Sequence, residues 1–157
     1  MNLIILGEPK PKQSFRFAIR GNDEKKFVAK YQPKEVVHHQ RTLGWTIQMQ
    51  LPKGFIPLDE PLKVEVLFVF SPPAAWSKKK MEELTSGKVI YKDTKPDLDN
   101  LEKALWDAME GIVFINDSRI VKKSIKKVYG VQPRTEIKIE VFNEAVIPNP
   151  NPDLLFP

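Results

Sequence analysis

The amino-acid sequence predicts an α+β fold, in which a mixed sheet of about four to six strands packs against two principal helices. Short segments rich in β-branched and aromatic residues indicate strands, longer segments with apolar residues at every third or fourth position indicate helices, and clusters of proline and glycine separate them. The length of 157 residues suits one domain with a sizeable core. We therefore expect residues 1–145 to form a single domain and residues 146–157, which contain four prolines, to form an irregular tail.

The first third of the chain predicts a strand, a hairpin and a helix. The apolar run at residues 2–6 indicates the first strand, and the prolines after it indicate a loop. Residues 16–20 and 26–30 flank the turn-prone sequence Gly-Asn-Asp, which predicts a hairpin. Residues 33–51 carry apolar side chains at helical spacing, so we expect a helix there.

Beyond this helix, the sequence predicts three further strands and a short charged helix. Residues 62–70 become apolar on both faces in their later half and are expected to form a central strand. Residues 76–87 predict a charged helix with Ser77 as its N-cap. Residues 120–132 are rich in β-formers, although a helix over residues 118–127 fits the pattern as well, and residues 136–142 alternate as a strand does.

The composition excludes several classes of protein. The chain has no cysteine, so it has no disulfide bond, thiol nucleophile or zinc-cysteine site. No segment approaches the roughly 20 apolar residues that cross a membrane. The short apolar run at the N-terminus lacks the preceding basic region of a signal peptide. We therefore expect a cytoplasmic protein that makes no contact with a membrane.

The distribution of charge favours a polyanionic partner. The net charge is +5 and the isoelectric point is near 9.3. Residues 118–138 contain seven basic residues and one acidic residue, a local charge of +6. This basic segment begins one position after Asp117. A nucleic-acid backbone is a partner that such a surface would attract.

The segment from Lys95 to Gly111, KPDLDNLEKALWDAMEG, has the pattern most suggestive of chemistry. Pro96 keeps the backbone before the helix extended, so the carboxylates of Asp97 and Asp99 are expected to point to one side. The residues that follow carry apolar side chains at helical spacing, and Gly111 falls where a left-handed helix end is expected. The two carboxylates are therefore predicted at a helix N-terminus.

Three further polar residues are expected near this pair of carboxylates. Asn100 and Lys103 lie on the polar face of the predicted helix. Asp117 joins them if the apolar run at residues 112–115 is a strand beside that helix. Carboxylate oxygens of this kind suit Mg²⁺ or Mn²⁺ in phosphoryl transfer. The same residues also fit a simpler interpretation, a turn with a helix N-cap and a solvated lysine.

The sequence KPDLDNLEKALWDAMEG, with INDSRI at residues 115–120, resembles the motif of the RusA family of Holliday-junction resolvases, which are endodeoxyribonucleases typically carried by phages or prophages. The resemblance implies a RusA-like fold and Mg²⁺-dependent cleavage of four-way DNA junctions by paired symmetric nicks, in recombination and repair. It implies that Asp97, Asp99 and Asp117 are metal-binding catalytic carboxylates and that Lys103 is a catalytic lysine. This chain departs from many relatives at Asn116, where they carry an additional acid.

The resemblance and the basic charge together predict the residues that bind DNA. These are Lys12 and Arg16 near the N-terminus, Lys95 and Asn100 beside the acidic pair, and Lys122 and Lys123 in the basic segment. A four-way junction is resolved by two symmetric cuts, so the resemblance also implies a homodimer. Two alternatives stay open, a nucleic-acid-binding protein without catalytic activity and a metal-dependent nuclease that acts on flaps or RNA.

Overall fold

The computed structural model describes residues 1–12, 16–22, 25–31 and 34–143, without the side chains of residues 16–22, 25–31 and 34–37. Its elements in chain order are β1 (Asn2–Leu6), β2 (Arg16–Asn22), β3 (Lys25–Tyr31), α1 (Lys34–Gln48), β4 (Leu62–Phe70), α2 (Lys78–Thr85), α3 (Leu98–Met109), a 3₁₀ helix (Asp117–Arg119), β5 (Ile120–Tyr129) and β6 (Arg134–Val141). The predicted α+β class is confirmed. The proposed division into a domain and a tail stays a prediction, because residues 144–157 lie outside the described residues.

Four strands form a mixed sheet in the order β1, β6, β4, β5. Strands β4 and β5 are parallel, whereas β6 runs antiparallel to both β1 and β4. The strand predicted to be central, β4, indeed has a neighbour on each side. Strands β2 and β3 form a separate antiparallel pair, as the hairpin prediction required.

The core lies between one face of this sheet and helices α1 and α3. Alternate residues of β4 point into it, and Leu62 and Val64 are fully buried. Helix α3 buries an apolar stripe against the sheet because its apolar residues recur at helical spacing. The apolar residues at this spacing are buried, except for the half-buried Ala104; they are Leu101, Ala104, Leu105, Ala108 and Met109. Trp106, which lies outside this spacing, is also buried.

Residues 112–115 do not form the strand that was expected beside α3. They form a tight turn that folds back on the end of the helix: the N–H groups of Gly111 and Val113 donate to the carbonyls of Phe114 and Met109, each at 2.8 Å. Gly111 has a φ of +73°, a left-handed conformation that glycine adopts without strain. Phe114 makes only isolated bridges, with Leu58 and Glu110. The chain reverses here too sharply for a strand to develop.

Residues 120–129 settle the ambiguity between strand and helix in favour of a strand. Strand β5 pairs with β4 over its full length, with one irregularity beside Leu62 and Lys63.

The charged helix after β4 is confirmed as α2, and the Ser77 side chain accepts a hydrogen bond from the N–H of Lys80 at 3.3 Å. Among the described residues, no helix combines the length and apolar character needed to span a bilayer.

Candidate active site

The start of α3 differs from the prediction made for the acidic pair. Asp97 is the N-cap, with extended backbone (φ −74°, ψ 147°), but the helix begins at Leu98, so Asp99 already lies in its first turn. The Asp97 carbonyl accepts the first helical hydrogen bond, from the N–H of Leu101 at 3.3 Å. Pro96 constrains only its own φ and the residue before it, and therefore does not keep Asp99 extended. The expectation that both carboxylates project from one extended segment is wrong, although both lie at the helix N-terminus.

One side of α3 forms the first wall of a cleft. Asp99, Glu102, Lys103 and Trp106 line this wall, and their spacing of three and four positions puts them on one stripe of the helix. The Lys103 Nζ lies 3.6 Å from the Asp99 Oδ2, and the two side chains are 62% and 64% exposed. These exposed charges are accessible to an incoming polyanion.

The second wall comes from the 3₁₀ helix and the start of β5. Asp117, Ser118, Ile120 and Lys123 line it. The Asn116 side chain accepts a hydrogen bond from the N–H of Ser118 at 3.0 Å, and its amide donates to Glu110 Oε1 at 2.8 Å. Asn116 therefore ties the 3₁₀ helix to the end of α3. This tie holds Asp117 next to the helix.

An irregularity in the strand pairing determines which basic residues face the cleft. Leu62 pairs with Ile120, but Lys63 pairs with Lys122, so β5 contains one extra residue at this point. Lys123 then lies opposite the buried Val64, on the face that carries α3. Lys122 lies on the other face, where its Nζ is 5.1 Å from the centre of the Phe142 ring. The two lysines predicted to bind DNA thus point in opposite directions.

The two walls enclose a cleft of about 400 Å³. Asp99 and Asp117, which are far apart in sequence, line it together, whereas Asp97 is not one of its lining residues. Within the described ranges, no three His, Cys, Asp or Glu side chains are close enough to hold a metal ion. The donor set nevertheless fits Mg²⁺ or Mn²⁺ chemically, because the cleft offers exposed carboxylate oxygens. The three-carboxylate metal site stays a prediction.

Glu102 is a charged residue of the cleft that sequence reasoning missed. It makes an ion pair with Lys123, and its side chain is only 16% exposed. The pair joins α3 to β5 across the cleft. The available signal was its spacing, three positions after Asp99, but a glutamate on a helix is usually solvated.

The other residues predicted to contact DNA are Lys12, Arg16, Lys95 and Asn100. Lys12, Lys95 and Asn100 do not line the cleft. The Lys12 N–H donates to the Asn100 carbonyl at 2.8 Å, and its ammonium makes an ion pair with Asp107, so the N-terminal loop is held along α3. Lys95 is exposed in the loop before α3. The side chain of Arg16 lies outside the described residues.

A larger cavity of about 460 Å³ lies on the face of the sheet that points away from α3. Its rim carries both signs of charge, with Lys126 and Lys138 near Glu65 and Glu136. The Lys63 side chain donates a hydrogen bond to Glu65 and, with its positive charge, lowers the pKa of that carboxyl. This cavity contains none of the residues predicted to bind metal or DNA, so the cleft beside α3 is the candidate site.

The fold and the cleft define the class of protein: an α+β domain with carboxylates and lysines in one groove is suited to acting on nucleic-acid phosphates. Residues 7–140 match the family model described as endodeoxyribonuclease RusA. This chain therefore belongs to the RusA endodeoxyribonuclease family, whose members act on Holliday junctions. The resemblance found in the sequence is confirmed.

The chain is also similar to the uncharacterized protein YqaN of Bacillus subtilis (strain 168). The two are 27% identical over 135 residues, which are 86% of this chain and 92% of that protein. The similarity thus extends over nearly the whole of both proteins.

Proposed function

We propose that this protein is a divalent-metal-dependent endonuclease that resolves four-way DNA junctions by paired symmetric nicks. The observation that carries the proposal is that Asp99 and Asp117 line one cleft in a chain of the RusA family. In this proposal Asp97, Asp99 and Asp117 hold one or two Mg²⁺ ions, with Mn²⁺ as a substitute. The bound metal supplies an activated water and stabilises charge on the departing 3′ oxygen.

The lysines of the cleft position the DNA. Lys103 lies one helical turn from Asp99, where its ammonium can hold the scissile phosphate or offset the negative charge that develops during cleavage. Lys123 is held at the rim by Glu102 and contacts a phosphate further along the strand. Lys95, exposed beside the start of α3, is a second backbone contact. Lys12, Arg16, Asn100 and Lys122 complete the set of DNA contacts that we propose.

The assembly follows from the reaction. Two symmetric cuts in one junction require two active sites related by a two-fold axis, so we propose a homodimer.

We further propose that the protein acts in the cytoplasm, in DNA recombination and repair, and that its gene derives from a phage or prophage. We also propose that residues 1–145 form the nuclease domain and residues 146–157 a separate tail.

Cleavage of defined substrates tests this function. The purified protein is incubated with a synthetic four-way junction, a duplex, a flap and an RNA, each with Mg²⁺, with Mn²⁺ or with EDTA. We expect paired nicks in the junction with either metal and none with EDTA. Asp99→Asn is expected to cut the junction at least about 10³-fold more slowly than the wild-type protein. The control variant Glu82→Gln, which removes a carboxylate from the surface of α2, is expected to cut at the wild-type rate.

The outcome separates the alternatives. Binding of the junction with and without Mg²⁺ but no cleavage would indicate a DNA-binding protein without catalytic activity. Preferential cleavage of the flap or the RNA would indicate a nuclease of another specificity. Cleavage that survives in Asp99→Asn would contradict the proposed mechanism.

A further inference from the structure

Lys127 connects β5 to the segment that precedes α3. Its Nζ donates hydrogen bonds to the main-chain carbonyls of Thr94, at 2.7 Å, and Pro96, at 2.6 Å. Its own carbonyl accepts a hydrogen bond from the N–H of Lys92, at 3.1 Å. Lys127 reaches this segment because it pairs with the buried Phe68, on the face of the sheet that carries α3.

The position of Asp97 depends on this segment. Asp97 follows Pro96 directly, and its side chain makes no capping hydrogen bond to the helix. The main chain therefore places its carboxylate, held on one side by Lys127 and on the other by the first hydrogen bond of α3. Hydrogen bonds from a charged ammonium to carbonyl oxygens are stronger than those between neutral groups.

We propose that Lys127 is a positioning residue that sets the place of the Asp97 carboxylate relative to Asp99, and thereby the affinity of the site for a divalent cation. This inference rests on the proposed function, in which these two carboxylates bind the metal. Residues that hydrogen-bond to the metal ligands themselves typically change metal affinity 10- to 100-fold when they are replaced. We expect an effect at the lower end of this range from Lys127, which holds the main chain next to Asp97. Lys127 therefore acts through Asp97 and need not touch the DNA.

The neighbouring Lys126 provides a matched control. It lies on the same strand and has the same charge, but it pairs with Leu67 and lines the cavity on the opposite face of the sheet. Replacing either lysine removes one positive charge from strand β5. A difference between the two variants therefore reports the contacts of Lys127 and not the loss of charge.

Mn²⁺ binding to the full-length protein without DNA tests the inference, measured by electron paramagnetic resonance of the free ion. We expect Lys127→Met to weaken Mn²⁺ binding by about 10-fold or more and Lys126→Met to leave it within about twofold. Lys127→Arg, which keeps the charge and the donors, is expected to recover most of the affinity. Junction affinity in EDTA is expected to fall to a similar, small extent in Lys126→Met and Lys127→Met.

Normal Mn²⁺ affinity in Lys127→Met would overturn the inference, and so would a loss confined to junction affinity, since that would make Lys127 a phosphate contact. If Lys127→Met does not fold, as judged by circular dichroism, Lys127→Gln is a smaller change with the same expected direction. Asp97→Asn distinguishes the inference about Lys127 from the proposal that Asp97 binds the metal. Weakened Mn²⁺ binding in Asp97→Asn but not in the Lys127 variants would overturn this inference alone, whereas normal binding in Asp97→Asn would overturn both.

Discussion

At the scale of single residues, the proposed site depends on side chains that contribute little to folding. The Asp99 and Lys103 side chains are mostly exposed, and their charged atoms are 3.6 Å apart. Ion pairs of this kind typically contribute between zero and about 1 kcal/mol to stability. Their charges therefore remain available for a metal ion or a phosphate. The stability of the fold depends on other residues, among them His39, whose protonation makes stability depend on pH.

His39 gives the protein a pH-dependent stability. Its half-buried position in α1 lowers its pKa below the usual value of 6.5, mainly through burial and further through the positive charges of Lys10 and His38. Below about pH 6.5 the unfolded chain therefore takes up this proton more readily than the folded protein. The contribution of neutral His39 to stability is present above that pH and is lost as the pH falls.

Urea unfolding at about pH 7.5 and about pH 5.5 measures this effect. We expect the wild-type protein to lose more stability between these conditions than His39→Gln, which cannot take up the proton. The two proteins differ only at this side chain, so the difference between their losses of stability reports the protonation of His39. An equal loss in the two proteins would show that His39 is not responsible.

At the scale of elements, the turn after α3 determines where Asp117 lies. Gly111 ends the helix in a left-handed conformation, and Phe114 is fully buried and packs edge-to-face on Trp106, with ring centres 6.4 Å apart. Asn116 then caps the N-terminus of the 3₁₀ helix. The left-handed conformation of Gly111, the burial of Phe114 and the cap by Asn116 together place Asp117 at the cleft.

Replacing Gly111 tests the importance of this turn. A Cβ at φ +73° is sterically strained although no neighbouring atom blocks it, so Gly111→Ala is expected to lower the free energy of unfolding by about 1–2 kcal/mol. Gly111→Asn is the matched control, because asparagine tolerates the left-handed conformation better. Equal stability of Gly111→Ala and the wild-type protein in urea would contradict this account of the turn.

The elements show which parts of the structure could be predicted from the sequence. Strand β4 and the apolar stripe of α3 were predicted well because their periodicity reflects burial on one side of a sheet or helix. The place of Asp99 in the helix was missed because a helix start depends on hydrogen bonds that residue types do not specify. The opposite directions of Lys122 and Lys123 were also missed, since they depend on one extra residue in the pairing of β5 with β4.

At the scale of the whole molecule, the cleft exists because α3 packs beside the parallel strand β5. The sequence identified Asp99 and Asp117 as candidates, but only the tertiary structure brings a helix N-terminus and a 3₁₀ helix to the same groove. Lys123 of β5 lies at its rim in an ion pair with Glu102 of α3. The central claim is therefore that these two acids, from separate elements, act as one catalytic unit.

The cleavage rate of a pre-bound four-way junction in Mg²⁺, measured for Asp99→Asn, Asp117→Asn and the double variant, tests this claim most directly. Residues that act as one unit are not additive, so each single substitution should slow cleavage on the order of 10³-fold and the double variant should be no slower than either. Cleavage by Asp117→Asn at the wild-type rate would contradict the claim, because it would leave the acid on the far wall of the cleft without a part in the reaction.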